Sequence, residues 1–87
     1  MRRVVLLHVK VAYFARVREL AGVSEEEITL NTGADVEHLF SEVLRIHPKL
    51  SEIKQIIRTL VNGCVMLDNV SLKEGDNITL LPAVGGG

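Results

Sequence analysis

Aromatic residues are nearly missing from this chain. Tyr13, Phe14 and Phe40 are the whole set, and there is no tryptophan. So few rings cannot build a stacking platform for nucleic-acid bases. No charge sign dominates either: 10 basic residues against 11 acidic ones leave a formal net charge of −1. The electrostatic footprint of a nucleic-acid binder is therefore absent, and no nucleic acid is expected as a partner. Cysteine occurs once, at Cys64. That excludes an internal disulfide and, with no Cys–His cluster, a zinc site. Long apolar runs are missing too. The first, VVLL at 4–7, is interrupted by His8 and Lys10. It is too short for the core of a signal peptide and far too short to span a membrane. Arg2 and Arg3 ahead of it make no secretion signal, and a cytoplasmic protein without membrane contact is expected. Repeats, low-complexity blocks and linkers are also lacking.

What is present is a single small domain. With 87 residues, 47% of them apolar, such a chain buries roughly 60–65% of its unfolded surface. From Val9 to Phe14 the residues alternate, with Val9, Val11 and Tyr13 on one side and Lys10, Ala12 and Phe14 on the other. This predicts a half-buried strand with the first set inward. ARVRELAG then suits one or two helical turns stopped at Gly22. In SEEEITLN, Ile28 and Leu30 alternate with Glu27 and Thr29, a second strand broken at Thr32 and Gly33. The clearest helix follows: Val36, Leu39, Phe40, Val43 and Leu44 share one face at three-and-four spacing. Asp35 is placed to cap it, Glu37 suits its first turn, and Pro48 stops it. Leu50, Ile53 and Ile57 repeat the helical spacing more weakly and predict a short second helix. TLVNGCVML reads as strand interrupted at Asn62-Gly63, KEGD at 73–76 as a turn, and NITLLP as a last strand ended by Pro82. The order is that of an α+β domain with its main helix packed across one face of a sheet. Pattern alone does not fix the strand order; the first and last strands are the most apolar and are expected in the middle.

The residues that usually carry chemistry offer little. His8, His38 and His47 fit no ligand spacing and read as surface or packing histidines. Glu25, Glu26 and Glu27 read as a solvated strand entry. Cys64 has no evident activating base and reads as a packing residue. No glycine loop precedes a helix in a phosphate-binding arrangement. The unusual feature is the ending, LPAVGGG. Glycines can thread a narrow channel and adopt backbone angles other residues cannot. A terminal carboxylate delivered that way to another enzyme's nucleotide pocket can be activated without any catalytic side chain here. A frayed end is the competing reading, and the glycines alone leave both open.

KVAYFARVRELAG at 10–22 resembles the opening motif of the small-subunit family of molybdopterin synthase, which are ubiquitin-like sulfur carriers. GADVEHLF resembles that family's helix start. VNGCVMLDNVSLKEGDNITLLPAVGGG at 61–87 resembles its C-terminal half, through Asn62, Gly75, Asp76, Pro82 and the terminal Gly86-Gly87. The likeness runs nearly end to end and is weakest across 45–58. It implies a β-grasp (ubiquitin-like) domain over residues 1–84, a mixed sheet with one main helix across one face, and a flexible glycine tail at 85–87. It also implies that an E1-like enzyme adenylates Gly87 with ATP and that a sulfur donor converts it to a thiocarboxylate. That group gives sulfur to a pterin precursor inside the large subunit, with Gly85 and Gly86 threading the partner sites and no cofactor held by the carrier itself. The chain would be a subunit, not an independent catalyst. Ala83, where the family usually has a second proline, and Gly85, in place of a small non-glycine residue, are departures expected to loosen the tail.

The alternation adds a docking surface. If Ile78 and Leu80 point inward, Leu81 shares the outer face with Asn77 and Thr79, as Phe14 does with Lys10. Phe14, Leu81, Pro82 and Val84 are then candidates for the patch a partner grips, against the plain alternative of one stray exposed residue per strand. The same activated tail also suits a sulfur donor for thiamine or tRNA thiolation, or a ubiquitin-like protein modifier. The opening motif separates the first reading from thiamine carriers.

Overall fold

The computed structural model describes residues 5–83. The first strand, β1, is Leu6–Tyr13. It starts earlier than the alternation from Val9 predicts, because Leu7 extends the inward set of Val9, Val11 and Tyr13, all buried. Phe14 is not a strand residue but the N-cap of helix α1, Ala15–Ala21. Its φ and ψ remain extended, and Gly22 ends the helix in the left-handed conformation. Strand β2, Glu25–Asn31, buries Ile28 and Leu30.

The main helix α2 spans Val36–Ile46 and turns Leu39 and Val43 into the core, with Val36, Phe40 and Leu44 packed partly against it. Asp35 caps it as expected: the His38 backbone N–H donates to Asp35 Oδ1 at 2.9 Å, while the Asp35 N–H donates back to His38 Nδ1 at 3.3 Å. These contacts hold the Asp35 carboxyl below its ordinary range, the His38 backbone N–H first and the Asn69 amide next. Asn69 also accepts from the Glu37 N–H at 3.0 Å. One loop side chain thereby satisfies a donor that the helix start leaves open.

Pro48 does not simply stop the chain. It opens a 3-10 segment, Pro48–Ile56, whose helical angles break at Ile53. The predicted second helix is corrected accordingly. Leu50 is fully buried, but Ile57 belongs to strand β3, Ile57–Val61, where an inward strand position buries it. Strand β4 is Cys64–Val65 and β5 is Asn77–Pro82. Asn62 and Gly63, both at positive φ, join β3 to β4, the two-residue hairpin turn that Asn-Gly favours.

The sheet order is β2-β1-β5-β3-β4, with β1 and β5 parallel and the other pairs antiparallel. This is the expected β-grasp arrangement, and β5 lies at its centre. Inward residues of β1, β2, β3 and β5 form one core with Val17, Leu39, Val43 and Leu50. Among the described residues, no helix is long and apolar enough to cross a membrane.

Candidate functional site

The face of the sheet away from the core can be read from the register. Tyr13 pairs with Leu80, and the Phe14 N–H continues that ladder by donating to the Leu80 carbonyl at 3.1 Å. Tyr13 points inward, so the extended Phe14 points outward, and it is 50% exposed. Leu81 follows Leu80 and turns to the same outer face, where it is half-buried and opposite Arg58. One row further, Thr79 pairs with Ala12 on one side and Leu60 on the other, and Leu60 pairs with Val65. Phe14 and Leu81 in the last outward row, and Leu60 and Val65 in the row before it, therefore share one outer surface, with Arg58 and Thr79 between them.

Phe14 and Leu81 share this outer face, but the placing of Pro82 beside them is corrected: it pairs with the buried Ile57 and, one residue past Leu81, falls on the inner side of β5. Val84, Gly85, Gly86 and Gly87 lie outside the described residues. Sequence reasoning missed Leu60 and Val65. The signal was available in the Asn-Gly turn, which fixes that Leu60 faces Val65, but strand partners are invisible until the sheet order is known.

Ala83 follows β5 directly and is the last described residue. Its N–H donates to the Ile56 carbonyl at 2.5 Å. The expectation that Ala83 loosens the tail's root is thus corrected: a proline there has no N–H to give, so the departure adds a tie.

Two further expectations change. Glu26 is not part of a solvated run. Its side chain lies on the inner side of β2, where one carboxylate oxygen takes the Tyr13 hydroxyl at 2.5 Å and sits 2.5 Å from His47 Nε2. Tyr13 and His47 also meet edge to face, with ring centroids 5.5 Å apart. Burial, then the hydrogen bond to Glu26 and its negative charge, push the Tyr13 hydroxyl above the usual phenol range. It stays a proton donor. His47 is accordingly a clasp between α2 and the sheet. Cys64 is exposed on β4 and packs against nothing in the core, contrary to expectation. Among the described residues no group of three or more His, Cys, Asp or Glu side chains could hold a metal ion.

The mixed five-stranded sheet with its helices is the β-grasp, ubiquitin-like fold. The chain belongs to the ThiS family, whose profile matches residues 11–87. It is 34% identical over 83 residues to the molybdopterin synthase sulfur carrier subunit of Chlamydomonas reinhardtii, covering 93% of this chain and all of that one. Among solved structures, a Pyrococcus furiosus protein described as molybdopterin converting factor, subunit 1, superposes with a TM-score of 0.82 and 40% identity, covering 90% of this chain and 99% of that one. The complex of subunits 1 and 2 of molybdopterin-converting factor from Helicobacter pylori matches with a TM-score of 0.65 and 28% identity, over 93% of this chain and 100% of that one. Small archaeal modifier protein 1 from Methanosarcina acetivorans matches at 0.76 with 28% identity, over 94% and 98%.

Proposed function

We propose that this protein is the sulfur carrier subunit of a molybdopterin synthase. The observation that carries the reading is the apolar outer face formed by Phe14, Leu81, Leu60 and Val65 where the chain leaves the sheet for its glycine tail. It offers a grip next to Ala83, after which the glycine tail follows in sequence.

The chemistry proposed is the following. An E1-like enzyme brings ATP to the Gly87 carboxylate, whose oxygen attacks the α-phosphorus and displaces pyrophosphate. A sulfide equivalent from a sulfur donor then attacks the acyl carbon. AMP leaves with one carboxylate oxygen, and a thiocarboxylate remains. Inside the large subunit that sulfur passes to a pterin precursor, and water restores the carboxylate. The body supplies recognition, Gly85 and Gly86 supply reach, and no side chain of this chain takes part in bond making. The likeness to sulfur carrier subunits and to the subunit complex supports this reading.

A second reading is favoured by the likeness to an archaeal modifier protein. There the same adenylate is captured by an amine instead of sulfur, which forms an amide and releases AMP.

Incubation with the activating enzyme, ATP and a sulfur donor, followed by intact mass measurement, tests the proposal. One oxygen should exchange for sulfur, and fragment spectra should place it on Gly87. Deleting Gly87 should abolish loading while leaving the melting temperature unchanged. Sulfur that the fragment spectra place on a side chain instead of the terminal carboxylate would refute the carrier mechanism. A mass increase by a protein-linked amide, without sulfur, would select the second reading.

A further inference from the structure

The right-hand half of the outer face holds a single charge. The outward positions of β5, β3 and β4 are Asn77, Thr79, Leu81, Arg58, Leu60 and Val65, fixed by the register of the three strands. Only Arg58 is ionised among them. On the other half, by contrast, Lys10 is matched by Glu25 at 3.5 Å. Arg58 is exposed and pairs with no carboxylate among the described residues, and it lies directly across from Leu81, one row from the tail's root.

A guanidinium remains charged under all ordinary conditions. A partner that grips the tail and covers Leu81 must also take water from Arg58. Desolvating an unpaired charge opposes binding, whereas supplying a carboxylate in the fork geometry of arginine turns the same charge into a selective contact. We infer that Arg58 is a specificity-determining residue of this carrier, and that its partner presents an aspartate or glutamate opposite it inside an otherwise uncharged contact. The inference rests on the docking face proposed above. It goes beyond that face by predicting the chemistry of the other side.

Binding of the full chain to the molybdopterin synthase large subunit from the same genome, measured by titration calorimetry, tests it through a sign. With a partner carboxylate present, Arg58→Leu leaves that acid covered and unpaired, and affinity falls by at least roughly tenfold. Arg58→Glu falls further, Arg58→Lys recovers part of the loss, and the salt dependence of association is weaker in Arg58→Leu. Without a partner carboxylate, Arg58→Leu removes a desolvation cost and binding stays equal or tightens, which overturns the inference. Leu81→Ala in parallel separates the two levels. If it weakens binding while Arg58→Leu does not, the docking face stands and the Arg58 inference fails. If neither variant changes affinity, the docking face itself fails and the inference with it. If only the Arg58 variants weaken binding, Arg58 is read from outside this face and the inference as stated is wrong. Arg58 is exposed, so its variants should melt as the parent does.

Discussion

Leu80 and Leu81 are chemically identical neighbours on the central strand, yet they belong to different surfaces. Leu80 is 1% exposed inside a core shared with Leu39, Val43 and Leu50. Leu81 faces away from that core, half-buried beside Phe14 and Arg58. The period of two along a strand sends consecutive residues to opposite faces, so one strand borders both the core and the proposed docking surface. The inner face is apolar because folding needs it. The outer face carries apolar side chains where no intramolecular packing requires them, and the proposed docking surface rests on that.

The inner side of this comparison should give the largest effect. Leu80→Ala removes buried methyl groups from the centre of the sheet and should cost about 2–5 kcal/mol, read as a shift in the urea midpoint. A midpoint within error of the parent would mean Leu80 is not core. On the outer side, burying a leucine against a partner contributes roughly 1.5–3 kcal/mol, or about ten- to a hundredfold in affinity. Leu81→Arg should weaken binding to the large subunit by that much and move the melting temperature only slightly. A variant that melts far earlier would reverse the assignment of the two faces.

Smaller effects sharpen the boundary between the faces. Glu26→Ala leaves the Tyr13 hydroxyl buried without its acceptor and frees His47, at a cost of about 1–3 kcal/mol, measurable by chemical denaturation. Binding to the large subunit should be unchanged, because the clasp lies on the inner side. Lost binding in a folded Glu26→Ala protein would show that the two faces are coupled. Smallest of all is Cys64→Ser. Cys64 is exposed on the short edge strand, so stability should stay within about 0.5 kcal/mol. Sulfur loading, followed by intact mass, should be equally unaffected. Abolished transfer in this variant would route sulfur through a side chain instead of the terminal carboxylate.

By itself the sequence determined whatever depends on near neighbours. The alternation of Val9, Val11 and Tyr13, the helical face from Val36 to Leu44, the Asp35 cap, the Gly22 stop and the Asn62-Gly63 turn are all properties of a few consecutive residues. They are legible because backbone period and local hydrogen bonding act over that range. The glycine ending and the opening motif pointed to a carrier in the same way. Only the tertiary structure decided what depends on partners distant in the chain. Glu26 looked solvated because its charge was visible and its two partners, Tyr13 and His47, were 13 and 21 residues away. Ile57 continued a helical spacing, but pairing with Pro82 makes it a strand residue. Cys64 reads as buried from its apolar neighbours, and its place on the outermost strand exposes it. Leu60 and Val65 joined Phe14 and Leu81 for the same reason. Which strand lies beside which is set by the competition of whole faces for one core, and no local pattern records the outcome.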